Sequence, residues 1–195
     1  PANGSSPSLD ASMYATPTSY KQASQSKDRE HWQTAMDTEI SKCEEMGTWE
    51  MIPASALPPN ADLVDCKWVY KLKSDQHGQI TRWKARLVAR GFTQVPGRDF
   101  NEEEVYAPVV AYDTIRTILS VAAAQDLEIV QADIASAYLI GYLDEHIYMR
   151  QPQHGNVQRG PDGRPMVCKL LRPLYGLKQS GHIFANVLHT FLRED

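Results

Sequence analysis

Cysteine is scarce and scattered in this chain. Its three, Cys43, Cys66 and Cys168, form no C-x-x-C pair, which argues against a disulfide framework and against a cysteine-rich zinc site. The six histidines make no H-E-x-x-H or other paired spacing, so a catalytic zinc centre has no motif to rest on. No apolar run approaches the roughly eighteen residues of a membrane span. No basic, apolar, small-residue signal segment opens the chain. Pro1 stands where an initiator Met would be, so the chain reads as an excerpt of a longer product, and a soluble intracellular protein is expected. The net charge of -4 gives no general attraction for a polyanion.

The 195 residues are 42 % apolar, enough for a real core in one ordinary domain. Charge is unevenly placed. From Lys67 to Arg98 eight Lys or Arg face one acid, Asp75; from Phe100 to Met149 nine Asp or Glu face one base, Arg116. A basic block followed by an acidic block is expected to make two surfaces with different partners, or simply two solvated faces.

Residues 1–26, rich in Ser, Pro, Ala and Gln, read as a flexible tail or linker. Trp32, Met36, Ile40 and Cys43 recur at helical spacing, with Ser26 or Asp28 as N-cap and Gly47 as terminator. Trp49–Pro53 reads as a short strand. Cys66–Lys73 and Ile80–Arg90, joined by the Asp75–Gly78 turn, read as a β-hairpin. Trp83, Ala85, Leu87 and Ala89 fall on one face, and Arg82, Lys84, Arg86 and Arg90 on the other. Thr114–Gln125 is expected to be a helix with Ile115, Ile118, Leu119 and Ala122 inward. Leu127–Asp133 is expected to be a strand, followed by a turn to Gly141 and strands at Ile147–Met149 and Val167–Leu171. Gly155–Pro165 reads as a polar loop, and Ser180–Arg193 as a helix. Strands and helices in irregular order predict an α+β fold.

Two constellations carry chemistry. Cations alternating along a strand recur at about 6.5–7 Å, close to a phosphate repeat. Trp68 and Trp83 could stack on bases, although buried tryptophans are commoner. In Gln131-Ala132-Asp133-Ile134-Ala135-Ser136-Ala137-Tyr138, Asp133 is expected where a strand leaves its sheet. A carboxylate there can ligate a divalent cation that also holds substrate phosphates, or serve as a plain cap or surface acid.

Several blocks in order resemble the copia-type retrotransposon reverse transcriptases. They are Gly47-Thr48-Trp49-Glu50, CKWVYKLK (66–73), KARLVARGFTQ (84–94), VYAPVV (105–110), TIR (114–116), QADIASAYLIG (131–141), IYMRQP (147–152) and VCKLLRPLYGLKQSG (167–181). The resemblance covers about residues 30–190. It implies a right-hand polymerase fold, with a helix and fingers at 27–125 and a partial palm at 126–195. It implies Asp133 as the first catalytic aspartate and, with the Ile134 carbonyl, a ligand of Mg²⁺ or Mn²⁺. Tyr138 would be the aromatic gate that tells deoxyribose from ribose. Lys84, Arg86 and Gln179 would contact the nucleotide, and Lys71, Lys73, Arg82, Arg90 and Lys178 the nucleic acid. Tyr175, Gly176 and Ser180 belong to the segment expected to line that pocket.

The implied reaction is two-metal nucleotidyl transfer onto a primer. Its partners would be an RNA or DNA template with primer, deoxynucleoside triphosphates and the rest of the Pol polyprotein, with no membrane involved. The expected place is the cytoplasm, in a virus-like particle, or the nucleus. The match departs from the family in three respects. The Tyr-x-Asp-Asp hairpin is absent, Gly181 stands where Pro is common, and Phe184 stands where Trp is usual. The piece by itself is therefore expected to be inactive, and a non-catalytic remnant that binds nucleic acid through its basic hairpin is the alternative.

Overall fold

The computed structural model describes residues 10–194. It is an α+β arrangement of helices with one four-stranded mixed sheet and one two-stranded hairpin. Helix α1 (Tyr20–Gln25) is followed by α2 (Arg29–Glu45), whose Trp32, Met36, Ile40 and Cys43 are buried as their spacing predicts. Asp28 precedes α2 without capping it through its side chain. At the other end Thr48 N donates to Cys43 O at 2.9 Å and Gly47 N to Glu44 O at 2.9 Å. This paired closure needs a left-handed residue, and Gly47 supplies it at φ 61°.

Strand β1 (Trp49–Ile52) and the short β2 (Leu63–Val64) precede the hairpin of β3 (Cys66–Ser74) and β4 (Ile80–Ala89). In the hairpin turn Asp75 Oδ1 accepts from the N–H groups of His77 and Gln79, each at 2.9 Å. β3 and β4 pair with Val69 opposite Arg86, Lys71 opposite Lys84 and Lys73 opposite Arg82. Opposed residues share a face, so with Lys67, opposite Val88, six cations crowd one side of the ribbon. The other side buries Trp68, Tyr70, Ala85 and Leu87, and β4 packs on α2. Trp32 meets Tyr70 and Trp83 edge-on at 5.2 and 4.7 Å. Trp68 is thus a core residue, and Trp83 is a partly buried one that packs against the core and borders the cleft described below.

Helix α3 (Tyr112–Ala124), β5 (Ile147–Arg150), β6 (Val167–Leu170) and α4 (Ser180–Glu194) complete the fold. The sheet order is β1-β6-β5-β2, antiparallel except for the β2–β5 pair. It takes strands from both sides of the boundary expected at 125/126. Among the described residues no helix is long and apolar enough to cross a membrane.

Three expectations are corrected. Residues 10–26 are structured: Asp10 bridges Gln79, Tyr14 packs edge-on to Trp83 at 5.4 Å, and Ala23 is fully buried. Short Ser/Ala/Gln segments lack periodicity but still fill a groove. The part of that expected tail at 1–9 lies outside the described residues. Leu127–Asp133 forms no strand, and Leu127, Ile129 and Val130 are exposed, because no neighbouring strand offers it a ladder. In α3 only Ala122 is buried, while Ile115, Ile118 and Leu119 face outward; the helix starts after Ala111, not after Asp113.

Candidate functional site

A cleft of about 480 Å³ runs between α2, the edge of β4 and two connecting segments, 133–139 and 174–175. β4 brings Arg82, Lys84 and Arg86 to it, α2 brings Glu39 and Lys42, and the segment after residue 132 brings Asp133 and Ile134. Residues far apart in the chain thus place cations and carboxylates around one space.

The third wall is fixed by backbone contacts. Ala89 N donates to Tyr175 O at 2.8 Å, tying the end of β4 to the Leu174-Tyr175-Gly176 turn. Gly176 has φ 92°, and a Cβ there would collide with the Ala89 carbonyl oxygen; only glycine suits that close approach. The turn sets the Tyr175 ring 4.0 Å from the Arg86 guanidinium. Tyr138 lies behind it, ring centroids 4.7 Å apart, and Phe184 stands 6.2 Å from Tyr138. The 3₁₀ turn Ala137–Ile140 that carries Tyr138 is gripped by Arg172, which donates to the Leu139 and Ile140 carbonyls at 3.0 and 2.8 Å. Ser136, left-handed at φ 54°, turns the chain into it.

The electrostatics follow from crowding and burial. Burial, then the neighbouring Arg86, Lys73 and Arg82, pull the Lys84 ammonium below the ordinary lysine value. Burial pushes the Glu39 carboxyl and the Tyr175 hydroxyl up. Glu39 Oε1 accepts the Leu87 N–H at 3.2 Å, satisfying a donor on the free edge of β4.

The residues picked from sequence divide into groups. Lys84, Arg86, Arg82, Asp133 and Ile134 line the cleft together. Tyr138 reaches it through Tyr175. Lys71 and Lys73 are exposed on the same ribbon face as Lys84 and Arg82. Arg90 lies past the end of β4 over the Phe92 ring at 5.8 Å, and Lys178 is exposed outside the cleft. Gln179 stands apart from these groups. It is 2 % exposed, donates to Asp99 O at 2.8 Å and accepts from Gln94 Nε2 at 3.1 Å. Its amide is engaged in a buried network behind the cleft lining. Glu39 and Lys42 were not singled out in the sequence, although both flank the apolar stripe of α2 on one side.

Among the described residues no three His, Cys, Asp or Glu side chains are placed to share an ion. Asp133 and Ile134, the pair that the resemblance implies as Mg²⁺ ligands, lie side by side in the cleft lining. One carboxylate and one carbonyl do not fit a two-ion centre.

Comparison with known proteins adds to this geometry. Residues 47–195 match the family model described as reverse transcriptase (RNA-dependent DNA polymerase). The chain is 42 % identical over 164 residues to a retrovirus-related Pol polyprotein from transposon TNT 1-94 of Nicotiana tabacum, covering 84 % of this chain and 12 % of that protein. It is 35 % identical over 182 residues to the one from transposon RE2 of Arabidopsis thaliana, covering 93 % of this chain and 12 % of that protein. An uncharacterized mitochondrial protein of Arabidopsis thaliana is 45 % identical over 101 residues, 52 % of this chain and 55 % of its own length. The chain therefore spans about an eighth of the Pol polyproteins it resembles. No solved structure matches it.

Proposed function

This chain belongs to the copia-type reverse transcriptase family of retrotransposon Pol polyproteins, and we propose that it supplies the fingers and the first part of the palm of an RNA-directed DNA polymerase. The observation that carries the reading is the shared cleft, with Asp133 on one wall and Lys84 and Arg86 on another. A carboxylate opposite paired cations suits a metal-bound nucleoside triphosphate. The cations take phosphate oxygens, and the carboxylate, with the Ile134 carbonyl, provides ligands towards Mg²⁺ or Mn²⁺. Further carboxylates would come from elsewhere in a longer Pol chain, so this chain alone is inactive in nucleotidyl transfer. The template and primer run along the ribbon face of Lys71, Lys73 and Arg82, and Tyr138 with Tyr175 walls the sugar side.

The test has two parts. The chain should bind a primer–template with an affinity that falls steeply with salt while giving no primer extension. In a full-length Pol polyprotein, Asp133→Asn should abolish synthesis and leave template binding intact. Synthesis that survives this substitution would remove Asp133 from the reaction.

A second reading, a remnant that binds nucleic acid without catalysis, is favoured by the partial donor set at Asp133. The two readings part on whether the longer chain extends a primer.

A further inference from the structure

The wall contributed by α2 lies outside the family match, which begins at residue 47. Yet α2 places a carboxylate, Glu39, inside the ring of cations that the proposed function assigns to phosphate. Building on that reading, we propose that Glu39 is a specificity-determining residue of the cleft, an internal anion that limits how tightly Lys84 and Arg86 hold a polyphosphate.

Three observations place it there. Glu39 lines the cleft together with Lys84, Arg86 and Lys42. Its Oε1 is tied to the Leu87 N–H, so the carboxylate is held at the edge of β4, one residue beyond Arg86. It makes no ion pair within 4.0 Å among the described residues, so its charge is not cancelled by a bonded partner. Arg86, Lys42 and Lys84 are the cations close enough to act on it, and its burial keeps solvent from screening it fully.

An unneutralised carboxylate in a half-buried cationic cleft subtracts from the attraction for any second anion. For a transferase that must release the anion left by each transfer, such moderation is useful. Tight, uniform holding of phosphate would slow release without speeding the chemical step. The ligand class is a linear polyphosphate, either the triphosphate of a nucleotide or the pyrophosphate that leaves.

The experiment titrates inorganic tripolyphosphate into the chain by calorimetry at low salt, with thermal melts to establish folding. Glu39→Gln keeps an oxygen for the Leu87 N–H and removes the charge; it should bind about three- to tenfold tighter than wild type, a gap that closes in high salt. Thr38→Glu adds a carboxylate at an exposed position on the same wall and should weaken binding by a similar factor. Arg86→Gln should lose most binding. Equal or weaker binding by a folded Glu39→Gln chain overturns the inference while Arg86 keeps its place in the site. A wild-type chain whose tripolyphosphate affinity does not depend on Arg86 overturns both.

Discussion

The Arg86 guanidinium lies 4.0 Å from the centre of the Tyr175 ring. A flexible arginine on a strand is thereby held by a rigid aromatic, which is itself held by the Tyr175 carbonyl on Ala89 N. A stacked guanidinium keeps its hydrogen-bonding rim free for phosphate.

Removing the ring should therefore cost binding at a distance from the ligand. Tyr175→Ala should weaken tripolyphosphate binding about three- to tenfold, the scale of a cation–π contact of about 0.5–1.5 kcal/mol. Tyr175→Phe, which keeps the ring, should bind like wild type. Calorimetric titration of the three chains checks this, and equal weakening by Phe and Ala would assign the effect to the hydroxyl instead.

The ribbon places Lys73 directly opposite Arg82. Like charges so opposed destabilise a strand pair by about 0.2–1 kcal/mol, and opposite charges stabilise it. Lys73→Glu should raise the thermal midpoint slightly and weaken nucleic-acid binding at the same time. Melting curves and primer–template binding over a salt series would show the two effects moving in opposite directions, with a shallower salt slope for the variant.

All three thiols are sheltered. Burial pushes Cys43 and Cys168 up to about 12 and Cys66 up to about 11. Because the thiolate is the nucleophile, the folded chain should react with Ellman's reagent only very slowly at pH 8. In denaturant all three should react rapidly. Fast labelling of the folded chain would mean that the hairpin and sheet open readily.

Several large apolar side chains are left bare. Ile118 and Leu119 of α3, Val130 after it, and Phe191 and Leu192 of α4 are all exposed. Exposed apolar side chains that meet in a patch promote association, so the chain should self-associate as its concentration rises. Ile118→Lys combined with Phe191→Lys should reduce that association by light scattering without lowering the thermal midpoint. An unchanged scattering profile would place the sticky surface elsewhere.

The hairpin was legible because its signals are local. Asp75 and Gly78 announce the turn, and the alternation from Trp83 to Ala89 fixes which face is buried. Helix α2 was legible for the same reason, from four apolar residues at helical spacing. Leu127–Asp133 misled because its β-branched residues carry a strand preference that needs a partner strand to be realised. The surroundings of Gln179 were not legible, because its partners Gln94 and Asp99 lie 85 and 80 residues away in sequence. Glu39 was missed because its role depends on Arg86 and Lys84, which follow it by more than forty residues and meet it only after α2 docks on β4.

The pairing of β1 with β6 has a temporal side. Trp49 leaves the ribosome long before its partner Leu170 exists, whereas α2 and the hairpin can close on each other from contiguous chain. Synthesis should yield a compact unit of α2 and the hairpin first, with Trp49–Ile52 waiting as a loose, strand-ready stretch until its partner Val167–Leu170 arrives. Ribosome stalling in that interval would expose a segment apt to recruit the wrong strand.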